Sequence, residues 1–353
     1  MIRSLHAFRF IFALMVFMSH LNYIIPSENK FWSFLYRYIF REGYIGVSFF
    51  FMLSGYILAY RYTDAIIEKS FSFKTFFSRR LARILPMYYV GLLVALPLSY
   101  SELIYGNTLF YIKKMMSTIF MVQSVIPVSD YYFSFNGVSW SISTELFFYI
   151  GFPLITAVLI KQRFIKRTLI AVTTLIIILA ILLIGYENAY YWLYISPVLR
   201  IADFTMGIGL FLLIKGRSFQ LSIDEATKWE YRALLVFLLF LILQPYVHAN
   251  FKLGVYYWIP IGIIISVFSN VQGKITMFLS KPVWEMLGHI SFSFYLLHHS
   301  YIKYYQHYMM PNIDPKWTGI VILIIILISI LTSYVTYRFI EEPARKYIRG
   351  RFS

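Results

Sequence analysis

Apolar runs too long for a soluble core recur along this chain, such as LIAVTTLIIILAILLIGY at 169–186 and GIVILIIILISILTSYVTY at 319–337. Each is long enough to cross roughly 30 Å of hydrocarbon at about 1.5 Å per residue. Within lipid the backbone must satisfy its own hydrogen bonds, so such runs fold as helices; a barrel would need short alternating strands instead. Of the 353 residues 59% are hydrophobic and 20% aromatic, and mean hydropathy is +0.67. The sequence therefore reads as an all-α polytopic membrane protein. The absence of cysteine excludes disulfides and cysteine metal sites. No small-residue cleavage site follows the first apolar stretch, which is read as a retained span and not a cleaved signal.

Ten spans are expected, at about 6–24, 43–62, 82–99, 140–161, 166–185, 196–215, 231–247, 253–271, 289–308 and 318–340. The segment 107–126 carries Lys113 and Lys114 in its middle and reads as interfacial or re-entrant. The formal net charge of +16 would suggest nucleic acid on a soluble protein, but here the cations sit between spans. With ten spans and a cytoplasmic N-terminus, the inner segments hold Arg61, Lys74, Arg79, Arg80, Arg83, Lys161, Arg163, Lys166 and Arg167, among others. The outer ones hold only Lys30, Arg37, Arg41, Lys113, Lys114, Lys252, Lys303 and Lys316. That asymmetry places both termini inside. With no linker, repeat or low-complexity tract, residues 1–353 read as one membrane-embedded domain, a single bundle of about ten helices. The expected partners are membrane lipids and no nucleic acid, and the expected location is the cell's inner (cytoplasmic) membrane.

Ionisable groups inside spans are expensive and need a reason. Arg9 and His20 lie eleven residues apart, about three helical turns, so they share a face roughly 16 Å apart along the axis. Arg9 falls at the cytoplasmic boundary and His20 near or just past the midplane; snorkelling and helix packing are the plainer uses of the two. Ser54 and Gly55 come near mid-membrane in span two, where small residues also serve close helix packing. Ser291, Tyr295 and His298 form one stripe of span nine. Span four opens with Trp140 and Glu145 near the outer side, an anchor and a solvated carboxylate on the plainer reading. Arg200 and Asp203, at i and i+3, read as a structural ion pair. Arg79, Arg80 and Arg83 precede Pro86; if helical, Arg80 and Arg83 point the same way. Paired guanidiniums suit a phosphate ligand, and anionic lipid is the plainer partner. Together these groups describe a polar path across the bilayer with a basic anion site at its inner mouth.

The motifs that carry these residues resemble those of the membrane-bound acyltransferase-3 family. Arg9 to His20 has the family's Arg-x10-His spacing, and IGVSFFFMLSGYIL resembles its Phe-Phe-x-x-Ser-Gly span. RRLARILPMY resembles its Arg-x-x-Arg-Ile-x-Pro segment, and VSWSISTELFFYIGFP its Trp-Ser-x-x-x-Glu segment. LGHISFSFYLLHHS and YRFIEEPARK resemble the closing motifs, so that the matches run in order from residue 5 to 346. His6 and Ser48 stand where the family often has acidic residues, which puts substrate choice in doubt. Some relatives append a soluble esterase-like domain; the chain stops at Ser353, and none is expected here.

The resemblance implies an O-acyltransferase acting on cell-surface molecules. Its donor would be acyl-CoA, acetyl-CoA first, entering from the cytoplasm, with no metal. Arg9, Arg80 and Arg83 would meet the CoA phosphates, with Ser54 and Gly55 at the donor side. His20 would act as general base, or accept the acyl group first; the general base is preferred, with Glu145 as its catalytic companion. Trp140, Tyr295 and His298 would face the acceptor, a glycan or lipid-linked saccharide, although His298 also suits packing. A polysaccharide exporter or flippase without chemistry is the alternative, and incorporation of label from acetyl-CoA into surface glycan separates the two.

Overall fold

The computed structural model describes residues 3–25, 29–161, 164–217, 220–310 and 313–351; Arg163 and Ser353, named above, lie outside them. Among the described residues the regular structure is helical, and each of the expected spans coincides with a helix. The principal helices are α1 (Arg3–Ser19), α2 (Gly46–Ile67), α3 (Phe73–Ala95), α4 (Thr108–Ile119), α5 (Trp140–Lys161) and α6 (Ile165–Leu182). They continue with α7 (Pro197–Ile214), α8 (Ile223–Leu243), α9 (Trp258–Asn270), α10 (Pro282–Tyr304) and α11 (Thr318–Thr336). Among the described residues, eight helical segments are long and apolar enough to cross a membrane.

The two expected spans outside that set have visible reasons. The first turns of α8 are charged, with Asp224, Glu225, Lys228, Glu230 and Arg232. Its N-terminus is a capping box: Ser222 Oγ accepts from the Glu225 N–H, and Glu225 accepts from the Ser222 N–H. The Ser222 N–H and hydroxyl hold the Glu225 carboxyl below the usual carboxylate range. Helix α10 carries Glu285 and Lys303 in its end turns and Ser291, Ser293, His298, His299 and Ser300 inside, these five all buried. The 107–126 segment has one α-helix, α4, about 18 Å long and well short of the hydrocarbon thickness, and then the short 3-10 helix Gln123–Val125.

Side-chain placement is inverted relative to a soluble protein. On α11, Leu323, Leu327 and Leu331, four residues apart, are exposed, while Ser329 and Ser333 are buried beside Ile322 and Ile325. Large aliphatic side chains facing out and hydroxyls facing in suit a lipid solvent, in which inward polar groups find partners.

By packing, the chain divides into two compact units. The first comprises Met1–Arg9, Val47–Phe73 and Thr144–Gly288; the second comprises Phe10–Gly46, Lys74–Ser143 and His289–Ser353. Most of these borders fall inside helices, so no linker composition marks them.

The first unit holds the ion pair expected from sequence. Arg200 Nη2 lies 2.8 Å from Asp203 Oδ2, and both side chains are 2% exposed. The same guanidinium donates to Ser48 Oγ (3.0 Å) and the Leu253 carbonyl (3.1 Å), and Trp258 Nε1 donates to Asp203. Gly55 and Gly207 let α2 cross α7 closely: a Cβ on Gly55 would lie 2.1 Å from the Phe204 carbonyl oxygen, and one on Gly207 1.9 Å from that of Met52. Glu230, fully buried, accepts from the N–H groups of Gly273 (2.8 Å), Ile275 (2.9 Å) and Thr276 (3.1 Å), so a carboxylate meets the start of the short helix Lys274–Leu279.

In the second unit, α3 and α10 run parallel. Gly91 approaches Leu296, and three residues further on the Val94 carbonyl accepts from Tyr304 (2.8 Å). Asn136 closes the space beside them, donating to the Leu296 carbonyl (2.7 Å).

Candidate active site

Helix α1 ends at Ser19, one residue before His20, which leads into the 3-10 turn Leu21–Tyr23. The expected continuous span through 24 is thus broken where the histidine stands. The ring stays tied to its helix, because His20 Nδ1 lies 2.9 Å from the Val16 carbonyl. A carbonyl only accepts, so Nδ1 carries the proton in the neutral ring and Nε2 keeps its lone pair.

Span nine brings a second imidazole to the same place. His298 Nδ1 lies 3.1 Å from the Phe294 carbonyl, which by the same argument leaves His298 Nε2 as an acceptor. That Nε2 lies 3.4 Å from His20 Nδ1. The two rings therefore form an ordered pair in which His298 backs the protonated nitrogen of His20 and the other nitrogen is left for chemistry. His298 is fully buried and stacked at 16° on Phe294, whereas His20 is only partly buried.

Three neighbours complete this cluster of the second unit, and the motif reading passed over them. The His299 ring lies 5.1 Å from that of His20 at 75°, and Tyr23 is stacked on His20 at 6.3 Å and 10°. Lys303 Nζ sits 3.6 Å over the Tyr23 ring. Gly137 makes room for His299, since a Cβ there would lie 2.7 Å from His299 Cε1. The doubled histidine in LLHHS is the one sequence signal that pointed to His299. Tyr295 is buried, shares a hydrogen bond with Ser141 Oγ (2.7 Å), and has its ring 5.9 Å from that of His298. Trp140, the residue before Ser141, is 3% exposed: its ring is packed inside and is not an interfacial anchor.

Arg79, Arg80 and Arg83 are helical, in the first half of α3, so Arg80 and Arg83 share a face as expected. Arg80 is buried at 6% exposure and Arg83 half-buried, unlike a cluster splayed toward lipid headgroups. Arg83 precedes Gly91 by eight residues, which puts it about 12 Å below the level of Leu296 along the parallel pair, with Arg80 about 16 Å below.

The first unit holds the remaining expected residues. Ser54 Oγ donates to Glu145 Oε1 (2.8 Å), and Tyr149 donates to the same oxygen (2.6 Å). Ser54, expected at the donor side, and Glu145, expected as the catalytic companion of His20, belong to one hydrogen-bonded cluster, and Glu145 is not simply solvated. Tyr149, one turn on from Glu145, was missed. Gly55, expected beside the donor, has in the α2–α7 crossing a packing role sufficient in itself. Arg9 is half-buried on α1. Among the described residues no His, Asp or Glu side chains converge as a set of three metal ligands.

The Acyl_transf_3 family, an acyltransferase domain, matches residues 2–338. The chain is similar to a Staphylococcus aureus (strain COL) protein named as an O-acetyltransferase, SACOL0978, with 29% identity over 353 residues, covering 92% of this chain and 55% of the relative. It is also similar to the acyltransferase MdmB of Streptomyces mycarofaciens, 25% identical over 88% of this chain and 82% of the relative. The O-acetyltransferase OatA of S. aureus (strain NCTC 8325 / PS 47) is 26% identical over 86% of this chain and 53% of its own length. The chain thus spans about half the length of the two staphylococcal relatives. No solved structure matches it. A match from residue 2 to residue 338, together with the motifs gathered around His20, His298 and the α3 arginines, means that this polytopic membrane protein belongs to the acyltransferase-3 family.

Proposed function

We propose that the protein is an O-acyltransferase that moves an acyl group, acetyl first, from cytoplasmic acyl-CoA to a hydroxyl of a cell-surface glycan or lipid-linked saccharide. The observation that carries this reading is the pairing of His20 with Val16 and His298, which leaves Nε2 of a partly buried imidazole as a base. In the reaction, Nε2 takes the proton of the acceptor hydroxyl as its oxygen attacks the thioester carbonyl carbon. The C–S bond breaks, and the departing CoA sulfur receives that proton from His20. The products are the O-acyl ester and free CoA, and the histidine returns to its starting state.

The donor's phosphates would lie at Arg80 and Arg83, on the half of α3 below the histidines, so that the pantetheine arm spans the interval and the charged end never enters the bilayer. The roles of Arg9, Ser54 and Glu145 rest on the family's motifs, with Ser54 and Glu145 acting as one cluster. Both termini are taken as cytoplasmic, on the charge asymmetry. In sealed vesicles of known orientation, labelled acetyl-CoA is expected to work only from the cytoplasmic face, with product on the other. Transfer from acetyl-CoA supplied only outside would reverse the arrangement, and no labelled product from either side would favour an exporter.

Arg83→Lys is expected to weaken donor binding by roughly tenfold or more, because lysine keeps the charge but loses the planar fork that meets phosphate at two points. Binding of CoA to purified protein in detergent checks this. Equal affinity of the variant and the wild type would remove these arginines from the donor site.

A further inference from the structure

A cavity of about 530 Å³ in the second unit has no part in the chemistry above, yet it shares a wall with it. It is lined by Ser99 and Glu102 just beyond α3, by Phe135, and by His299, Lys303 and Gln306 at the end of α10. Because α3 and α10 run parallel, these residues lie at the end of the pair opposite Arg80 and Arg83. His299 is the shared wall: its ring stands 5.1 Å from His20 and its side chain also lines the cavity.

The charges of the cavity do not cancel. Glu102 is already paired with Lys114, whose side chain is 6% exposed. Lys303 has no carboxylate partner among the described residues; it donates to Gln306 Oε1 (3.1 Å) and rests on Tyr23. One half-buried cation therefore faces a polar cavity beside the reactive imidazole. The wall opposite is strained. Phe135 has φ of 57°, a left-handed conformation costly for a bulky side chain. It is held there by Tyr111, whose ring lies 5.4 Å away at 88°, and by the bond between its neighbour Asn136 and the Leu296 carbonyl. Such strain collects at ligand-binding walls, and here it presents an aromatic ring to a space with hydroxyl, amide and ionic groups around it.

We infer that this cavity is the acceptor subsite, and that the acceptor is a hydroxyl-rich, saccharide-like molecule with an acidic group, phosphate or carboxylate, met by Lys303. The inference rests on the acyl-transfer reading for the word acceptor. The ring of Phe135 would cover the carbon face of the sugar, Glu102 and Gln306 would bond its hydroxyls, and one hydroxyl would reach past His299 to His20.

The chain has no cysteine, so a single introduced thiol reports on the cavity. His307 lines it, is exposed and has no part in the chemistry proposed, so His307→Cys is the reporter, labelled with N-ethylmaleimide in purified protein. Glucose 1-phosphate and glucuronate, the probes for the two acids, are compared with glucose and with inorganic phosphate at matched concentration. At least one acidic sugar is expected to slow labelling roughly three- to fivefold more than glucose or phosphate does, and Lys303→Gln is expected to remove that margin. Which acid protects then names the group. No protection by either acidic sugar, equal protection by glucose, or equal protection by phosphate alone would overturn the inference, as would a margin that survives Lys303→Gln in a variant of unchanged melting temperature. Acetyl transfer to surface glycan by the wild type is measured in parallel. Transfer without protection overturns the subsite alone, and protection without transfer overturns the acyl-transfer reading alone.

Discussion

His20→Ala is expected to leave an inserted, folded protein whose acyl transfer falls by about 10²- to 10⁴-fold, the usual cost of losing a general base. The effect should be on the chemical step, with CoA affinity unchanged, because Arg80 and Arg83 lie on α3 and Arg9 stands about three helical turns from His20 on α1. Transfer by the wild type should also fall as pH drops, since an imidazolium has no lone pair for the acceptor's proton. His298→Ala is expected to lower the rate less and to move that pH profile. Its Nε2 stands 3.4 Å behind His20 Nδ1, where, on the acyl-transfer reading, it would order the reactive ring. His6→Ala should cost transfer far less, since His6 packs against Gly288 in the first unit. The measurement is incorporation of labelled acetate at matched protein level. Near-normal transfer by His20→Ala would remove the histidine from the chemistry.

The second large effect is on stability. Asp203→Leu is expected to destabilise the protein by about 3–5 kcal/mol, the cost of leaving a buried charge without its partner. Arg200 is 2% exposed, and Ser48 and the Leu253 carbonyl accept from its two Nη groups without neutralising it. Replacing both members, Arg200→Met with Asp203→Leu, should recover most of that loss, because the uncompensated charge goes with the partner. Thermal unfolding in detergent checks both variants. A stable Asp203→Leu protein, or a double variant no better than the single one, would mean that the pair does not hold this part of the fold.

Much of the fold was legible in the sequence because a bilayer imposes one rule at each position along a span. A run of some twenty apolar residues has only the helix open to it, so all ten expected segments coincide with helices. Spacing within one helix was legible for the same reason. Arg80 and Arg83 share a face of α3, Tyr295 and His298 share one of α10, and the Arg200–Asp203 pair forms as its i, i+3 spacing suggests. The end of α1 at Ser19 escapes the sequence reading, in which Ser19, His20 and Asn22, where the apolar run breaks, count as polar groups within a span continuing to 24.

The sequence by itself determined that this chain is a helical membrane protein and which chemical groups it carries into the membrane. Only the tertiary structure decided what those groups do to one another. His20 meets a histidine 278 positions away, Ser54 bonds a glutamate 91 positions on, and Ser48 accepts from an arginine 152 positions on. The Glu230 carboxylate is met by backbone N–H groups beyond Gln272, and backbone donors leave no mark in a sequence. Lys303 reads from the chain as one more cation outside the membrane, and its place over Tyr23 beside a polar cavity exists only once α1 and α10 have packed. The physical reason is the same in each case: a span's lipid-facing side answers to the solvent and repeats with helical period, whereas its inward side answers to whichever helix lies against it, and that choice is made by packing over the whole chain.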